Sequence, residues 1–198
     1  MRDVEFYYDF SSPNAYMVHK VLPTITKRYG AQVINKPMLL GGVFKSTNNA
    51  APMVAFREVS GKIDYMRVEM ARFIERFSVP FQFNPFFPVN SLHLMRAAVY
   101  AQGKSWENSY IQACFDAMWV DGKDMSDIDI ITGVLNDARL PADEIINAAQ
   151  DPVNKSELAD VTAAAVARGV YGAPAMFLGD EMFYGKDSLN DLEWRLGQ

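Results

Sequence analysis

The run Val4-Glu5-Phe6-Tyr7-Tyr8 is short, aromatic and closed by Asp9, a pattern that predicts a buried strand. A helix is expected next. Ser12 suits its cap and Pro13 its first position, while Ala15, Val18, Leu22, Ile25 and Tyr29 recur at steps of three and four until Gly30. Pro23 falls inside that pattern and predicts a kink or break near residues 19–23. Gln32 to Pro37 supplies a second strand. From Gly41 to about Gln150 the signal turns helical. Ile63, Met66, Met70, Phe73 and Phe77 form one apolar stripe, with Lys62, Arg67, Arg72 and Arg76 off it. Pro80, Pro85 and Pro88 punctuate an irregular stretch. Helices are expected over 91–102, 105–120, 127–137, 141–150 and 152–168, with Ser105 and Ser126 as caps and Gly169 as the final stop. Strand character then returns. Ala175-Met176-Phe177-Leu178, a Gly179-Asp180 turn and Glu181-Met182-Phe183-Tyr184 read as a β-hairpin, and Asp187 or Ser188 caps a closing helix to Leu196.

Composition sets bounds on this picture. With 198 residues, 49% of them hydrophobic, the chain can bury one core, or a core plus an inserted layer, without staples. Its single cysteine, Cys114, excludes an intramolecular disulfide and suits a reducing compartment. Acids at Asp3 and Glu5 stand where a signal peptide needs an apolar run, and no stretch is long enough for a membrane helix. A cytoplasmic protein with no membrane partner is the expectation. The formal charge of -5 and pI near 5.0 argue against nucleic acid as a partner, so an anionic ligand must be held by locally placed cations.

Strand, helix, strand, then helix, hairpin and helix is the element order of the thioredoxin fold. The predicted class is therefore α/β: a thioredoxin-like domain made of residues 1–40 and 152–198, with a large all-helical insertion at 41–151. Two motifs fall at the points where that fold carries its chemistry. Phe10-Ser11-Ser12-Pro13-Asn14-Ala15 lies between first strand and first helix, where redox relatives hold Cys-x-x-Cys, and the pair here is Ser12 and Ala15. Gly172-Ala173-Pro174-Ala175 precedes the third strand, the place of a cis-proline loop. Either motif alone is satisfied by a helix cap or an ordinary bend; their joint placement is what points to a site.

A serine at a helix start can donate a hydrogen bond to a bound thiolate while the helix dipole favours the negative charge. It forms no disulfide. As a nucleophile it lacks a base, because His19 lies roughly 10 Å further along the helix. His19 and His93 have no partners at ligand spacing, so no metal is expected. Cys114 reads as inert packing, as do Phe86, Phe87 and Trp119, which otherwise would shape an aromatic pocket. Walker, dinucleotide and serine-hydrolase signatures are absent from the sequence.

The chain resembles the family of 2-hydroxychromene-2-carboxylate isomerases and kappa-class glutathione transferases, which are DsbA-like thioredoxin folds with a helical insertion. The likeness spans essentially the whole length. It rests on Phe6 to Pro13, on Lys62-Ile63-Asp64-Tyr65, and most specifically on the segment from Gly169 to Asp187. It implies glutathione as cofactor, with the serine before proline, Ser12, bonded to its sulfur; a shift of one residue would give Ser11 that role. It also implies that main-chain groups of Ala173, before a cis Pro174, pair with the cysteinyl backbone. Tyr184, Gly185, Lys186 and Asp187 would meet the γ-glutamyl end, although relatives often carry asparagine or another residue where Lys186 stands. Lys45 and Asn49, in the loop Phe44 to Asn49, match positions that contact glutathione or substrate, and Lys62 matches another. Tyr65 shares the face of Lys62 and can line the cleft. Lys36 is a further candidate.

The activity implied is isomerisation of 2-hydroxychromene-2-carboxylate to trans-o-hydroxybenzylidenepyruvate in aromatic catabolism, by reversible addition of the glutathione thiolate. The partners implied are a small aromatic carboxylate and, as the family commonly forms dimers, a second copy. Two rivals stay open: a kappa-like transferase that conjugates electrophiles, and a non-enzymatic thioredoxin-like binding module whose serine only caps a helix.

Overall fold

The computed structural model describes residues 3–198; the Met1-Arg2 start lies outside them. Strand β1 (Val4–Tyr8) runs between β2 (Val33–Pro37) and β3 (Ala175–Leu178), and β4 (Glu181–Tyr184) forms the far edge, giving the order β2-β1-β3-β4. β1 pairs in parallel with β2, from Val4 opposite Val33 to Tyr8 opposite Pro37. It pairs antiparallel with β3, where Tyr7 faces Ala175, and β3 and β4 close the expected hairpin. A strand with neighbours on both edges and cover on both faces is largely apolar, which is why β1 is aromatic and aliphatic apart from Glu5, whose carboxylate pairs with Lys36 and Arg168. Val4, Phe6 and Tyr8 enter the main core, while Tyr7 enters a second cluster with Met38, Val43, Ala165, Val170 and Phe177.

Helix α1 (Pro13–Arg28) joins β1 to β2. Then come α2 (Leu40–Thr47), α3 (Pro52–Ala55), α4 (Lys62–Phe77), α5 (Leu92–Ala101), α6 (Glu107–Trp119), α7 (Ile128–Asp137) and α8 (Ala142–Gln150). Helix α9 (Pro152–Ala167) returns the chain to the sheet, and after β4 a 3-10 turn, Lys186–Ser188, leads into α10 (Leu189–Leu196). This is the thioredoxin-like α/β fold with its helical insertion. α2 and α9 cover the Tyr7 face and approach closely: a Cβ on Gly42 would lie 3.1 Å from the Thr162 methyl, and Thr162 Oγ1 accepts the Leu39 N–H at 3.0 Å.

Several local expectations are corrected. α1 is unbroken through Pro23. The ring of Pro23 is exposed, and burial of Val21, Leu22, Ile25 and Thr26 around it offsets the roughly 3 kcal/mol that an interior proline costs. Ser105 caps nothing: α6 starts at Glu107, whose carboxylate instead takes the Gly103 N–H. The cap of α7 is Asp127, which accepts from Asp129 and Ile130, whereas Ser126 turns back to Asp124. Ser188 stands at the start of α10 but donates to Gly185 O, and Asp187 pairs with Lys186, so neither side chain caps that helix. The segment from Phe44 to Thr47, expected as loop, is the last turn of α2.

Candidate active site

Ser12 is the N-cap of α1 and is almost wholly buried. Its hydroxyl accepts the Ala15 N–H at 3.2 Å and donates to the carbonyl of Ala173 at 3.1 Å. The Ala173–Pro174 peptide is cis. The two motifs the sequence places far apart are thus joined by one hydrogen bond. Ser11 faces elsewhere, giving its hydroxyl and its N–H to Asp9 Oδ1, both at 2.9 Å. Ser12, not Ser11, is the serine that meets the proline loop.

Sequence reasoning missed Asp9, although it is the post that holds this turn. Its second oxygen, Oδ2, accepts the Leu40 N–H at 2.8 Å, and Ser91 bonds it as well. Burial pushes its carboxyl above the ordinary range, against the hydrogen bonds from Ser91, Leu40 and Ser11 that favour its charge. Trp119 was equally underread. Fully buried, it donates its indole N–H to Phe10 O at 2.8 Å and stacks on Phe81, so it packs and also fixes the turn. Phe86 departs from the packing expectation, being 53% exposed.

The positive end of α1 carries no acid in its first turn, so its dipole is free to act on a ligand. Two residues past Ser12, Asn14 Oδ1 is buried without a partner, an acceptor awaiting a donor. Asn49, two residues past the end of α2, braces the proline loop by giving its amide to Tyr171 O at 2.8 Å. Tyr171 stacks on Tyr184 with centroids 4.2 Å apart, and any Cβ on Gly172 would strike the Tyr184 hydroxyl. Burial, with Tyr171 beside it, raises the Tyr184 phenol above its ordinary value and keeps it a neutral donor. Gly185 N–H closes the group onto Pro174 O at 2.9 Å.

Ser12, Ala173, Pro174, Tyr184, Gly185 and Asn49 therefore converge. The expected cations are placed differently. Lys45 is exposed one turn before Asn49, and Lys62, the first residue of α4, lies over the Phe56 ring at 5.3 Å. Tyr65 is 54% exposed on the same helix. Lys186 is buried against Asp187 and Glu69 rather than open to a ligand. Lys36 pairs with Glu5 at 3.4 Å, away from the serine turn. Cys114 is buried in the core, where burial pushes its thiol up to about 12. A separate cleft of about 600 Å³, lined among others by His19, Pro23, Lys27, Asn35 and Asn108, opens at the other end of α1.

A profile of the DsbA-like thioredoxin domain matches residues 3–197. A 2-hydroxychromene-2-carboxylate isomerase from Sphingobium xenophagum is 30% identical, over 97% of this chain and 96% of its own. Glutathione S-transferase kappa 1 of Rattus norvegicus is 24% identical, over 100% of this chain and 92% of its own. The solved structure of a 2-hydroxychromene-2-carboxylate isomerase superposes with a TM-score of 0.86 at 27% identity, covering 98% of this chain and 94% of that one.

Proposed function

Since the chain belongs to the DsbA-like thioredoxin family, and within it to the group of 2-hydroxychromene-2-carboxylate isomerases and kappa-class glutathione transferases, we propose that it is a glutathione-dependent isomerase of 2-hydroxychromene-2-carboxylate. The observation that carries the reading is the bond from Ser12 to Ala173 O, beside a cis proline and with alanine at position 15. The corner can hold a sulfur and cannot be oxidised by it. The polar groups fit the tripeptide: a hydroxyl donor at a helix start with no acid in its first turn, the partnerless acceptor Asn14 Oδ1, and the exposed Asp187 carboxylate for an ammonium group.

Glutathione, when bound, would supply a thiolate that is returned unconsumed: its reversible addition would make a double bond single and so permit ring opening and rotation before elimination. Ser12 holds that sulfur. Its hydroxyl has one proton, now on Ala173 O, so donation to a thiolate frees the Ala173 carbonyl for the main chain of the tripeptide. The opening of α1 adds dipole support for the negative charge. Gly185 and Asp187 receive the γ-glutamyl end near Tyr184, while Lys186 stays paired beneath them. Lys45, Asn49, Lys62 and Tyr65 orient the carboxylate and phenolate of the substrate. The same reading takes the chain as a cytoplasmic homodimer whose second copy covers the exposed Met53, Val54, Phe56 and Val59. Among the described residues no helix is long and apolar enough to cross a membrane.

A spectrophotometric assay of 2-hydroxychromene-2-carboxylate, with and without glutathione, tests the proposal. Turnover that requires glutathione and collapses in Ser12→Ala is expected; turnover without glutathione overturns the mechanism. The likeness to the rat kappa transferase favours one second reading, conjugation of glutathione to an electrophile. An aryl halide assayed in parallel separates the two, since only a transferase consumes the thiol.

A further inference from the structure

Among the described residues, Asp9 and Lys186 are the only charged side chains that are buried. An ammonium removed from water is retained only when it is paired. Lys186 Nζ lies 2.5 Å from Asp187 Oδ1, 4.0 Å from Glu69 Oε2 and 5.6 Å from the centre of the Phe73 ring, with 5% of its side chain exposed. Its two carboxylates face outward, Asp187 with 64% and Glu69 with 43% of the side chain exposed. At Asp187 and Glu69 themselves one ammonium stands between two carboxylates, with the Arg76 guanidinium further along at Asn190. The outward-facing Asp187 oxygens still accept a further cation.

Glu69 and Phe73 stand one turn apart on α4, so Lys186 forms the seam between that helix and the turn leading to α10. Arg76 extends the seam to Asn190 Oδ1 at 3.4 Å. Phe73 is the one residue of α4 that is buried, and α3 buries none. The half of α4 that carries Lys62 and Tyr65 is mostly exposed and continues from this seam and from Met70, Ile74 and Phe77, which pack against the main core.

We propose that Lys186 is a positioning residue shared between Asp187 and Glu69, so that a ligand ammonium group taken up by Asp187 turns Lys186 toward Glu69 and draws helix α4 onto the Ser12 site. The inference rests on the glutathione reading, whose γ-glutamyl amino group is the cation. It makes the arm that bears Lys62 and Tyr65 respond to the cofactor's amino end. A thiol tripeptide lacking that amino group binds at Ser12 and leaves α4 where it was.

The test is hydrogen exchange of the α4 amides in the whole protein, free and with saturating glutathione or its deamino analogue, alongside calorimetric titration. Glutathione slows exchange over residues 62–72 in the unmodified chain and the deamino analogue does not. Glu69→Gln, a change on a half-exposed side chain, abolishes that slowing and raises the glutathione Kd by about two- to fivefold. Lys186→Arg keeps part of the slowing and Lys186→Met keeps none. Equal slowing by both thiols, or slowing undiminished in Glu69→Gln, overturns the coupling and leaves the glutathione reading standing. A flat titration with glutathione overturns both.

Discussion

The hydroxyl of Ser12 and the carbonyl of Ala173 meet at 3.1 Å, and through that bond the start of α1 is fastened to the loop at the cis proline. The same oxygen accepts the Ala15 N–H, so one small side chain serves as a helix cap and a tether. Ser12→Ala removes both. Denaturant unfolding should show a loss of about 1 kcal/mol for the cap, and glutathione-dependent turnover should fall on the order of 100-fold for the lost donor to a developing charge. Ser11→Ala should keep most of its turnover, because that hydroxyl is committed to Asp9.

Gly172 is held bare by Tyr184, whose hydroxyl occupies the space a methyl would need. In Gly172→Ala the tyrosine must leave its stack on Tyr171. The expected cost is about 1–3 kcal/mol of stability, read by urea melts, with weaker glutathione binding by calorimetry. Adding Tyr184→Phe removes the clashing oxygen and should restore part of both.

Cys114 should behave as a hydrocarbon until the chain unfolds. Burial pushes its thiol up to about 12, and it sits in the core beneath β1. A disulfide-exchange reagent should label it only as denaturant opens the core, with labelling rising along the unfolding transition. Rapid labelling of the native protein would contradict its placement.

His19 carries the clearest pH signature. Burial of this α1 side chain against Phe115 of α6 holds its imidazole down at about 4, against 6.5 in the unfolded chain, with the hydrogen bond to Gln112 working the other way. The unfolded chain then binds the extra proton first. Stability from this group is complete above pH 6.5 and is lost as pH falls toward 4, by on the order of 3 kcal/mol at about 1.4 kcal/mol per pKa unit. Unfolding free energies measured across that window should slope upward with pH. The slope should flatten in His19→Gln.

What the sequence disclosed was set by local periodicity. β1, α1, the hairpin and the two proline motifs each announce themselves within a few residues, and the structure joins the motifs as the element order implies. The misread features depend on partners distant in the chain or on choices between equivalent neighbours. An acid after a buried strand looks like a turn residue, and nothing near Asp9 in sequence shows that Leu40 and Ser91 will meet it. Ser126 and Asp127 are both competent caps, and only the geometry of the Asp124 turn selects the second. Lys186 looks like a surface lysine until Phe73 and Glu69 arrive from α4. At Pro23 the local signal allows a kink or a break, and the break does not occur because burial on both sides keeps the helix continuous.

Asp9 binds the serine turn, the first residue of α2 and the residue that opens α5. The corner around Ser12 is thus anchored to α2, to the residue that opens α5 and, through Trp119, to the end of α6. Over evolutionary time the outer helices are free to lengthen, shorten or change their side chains, and so to retune which molecule fits, without disturbing the turn that the carboxylate secures. Such an arrangement lets one lineage diversify its substrates while inheriting an unchanged anchoring point.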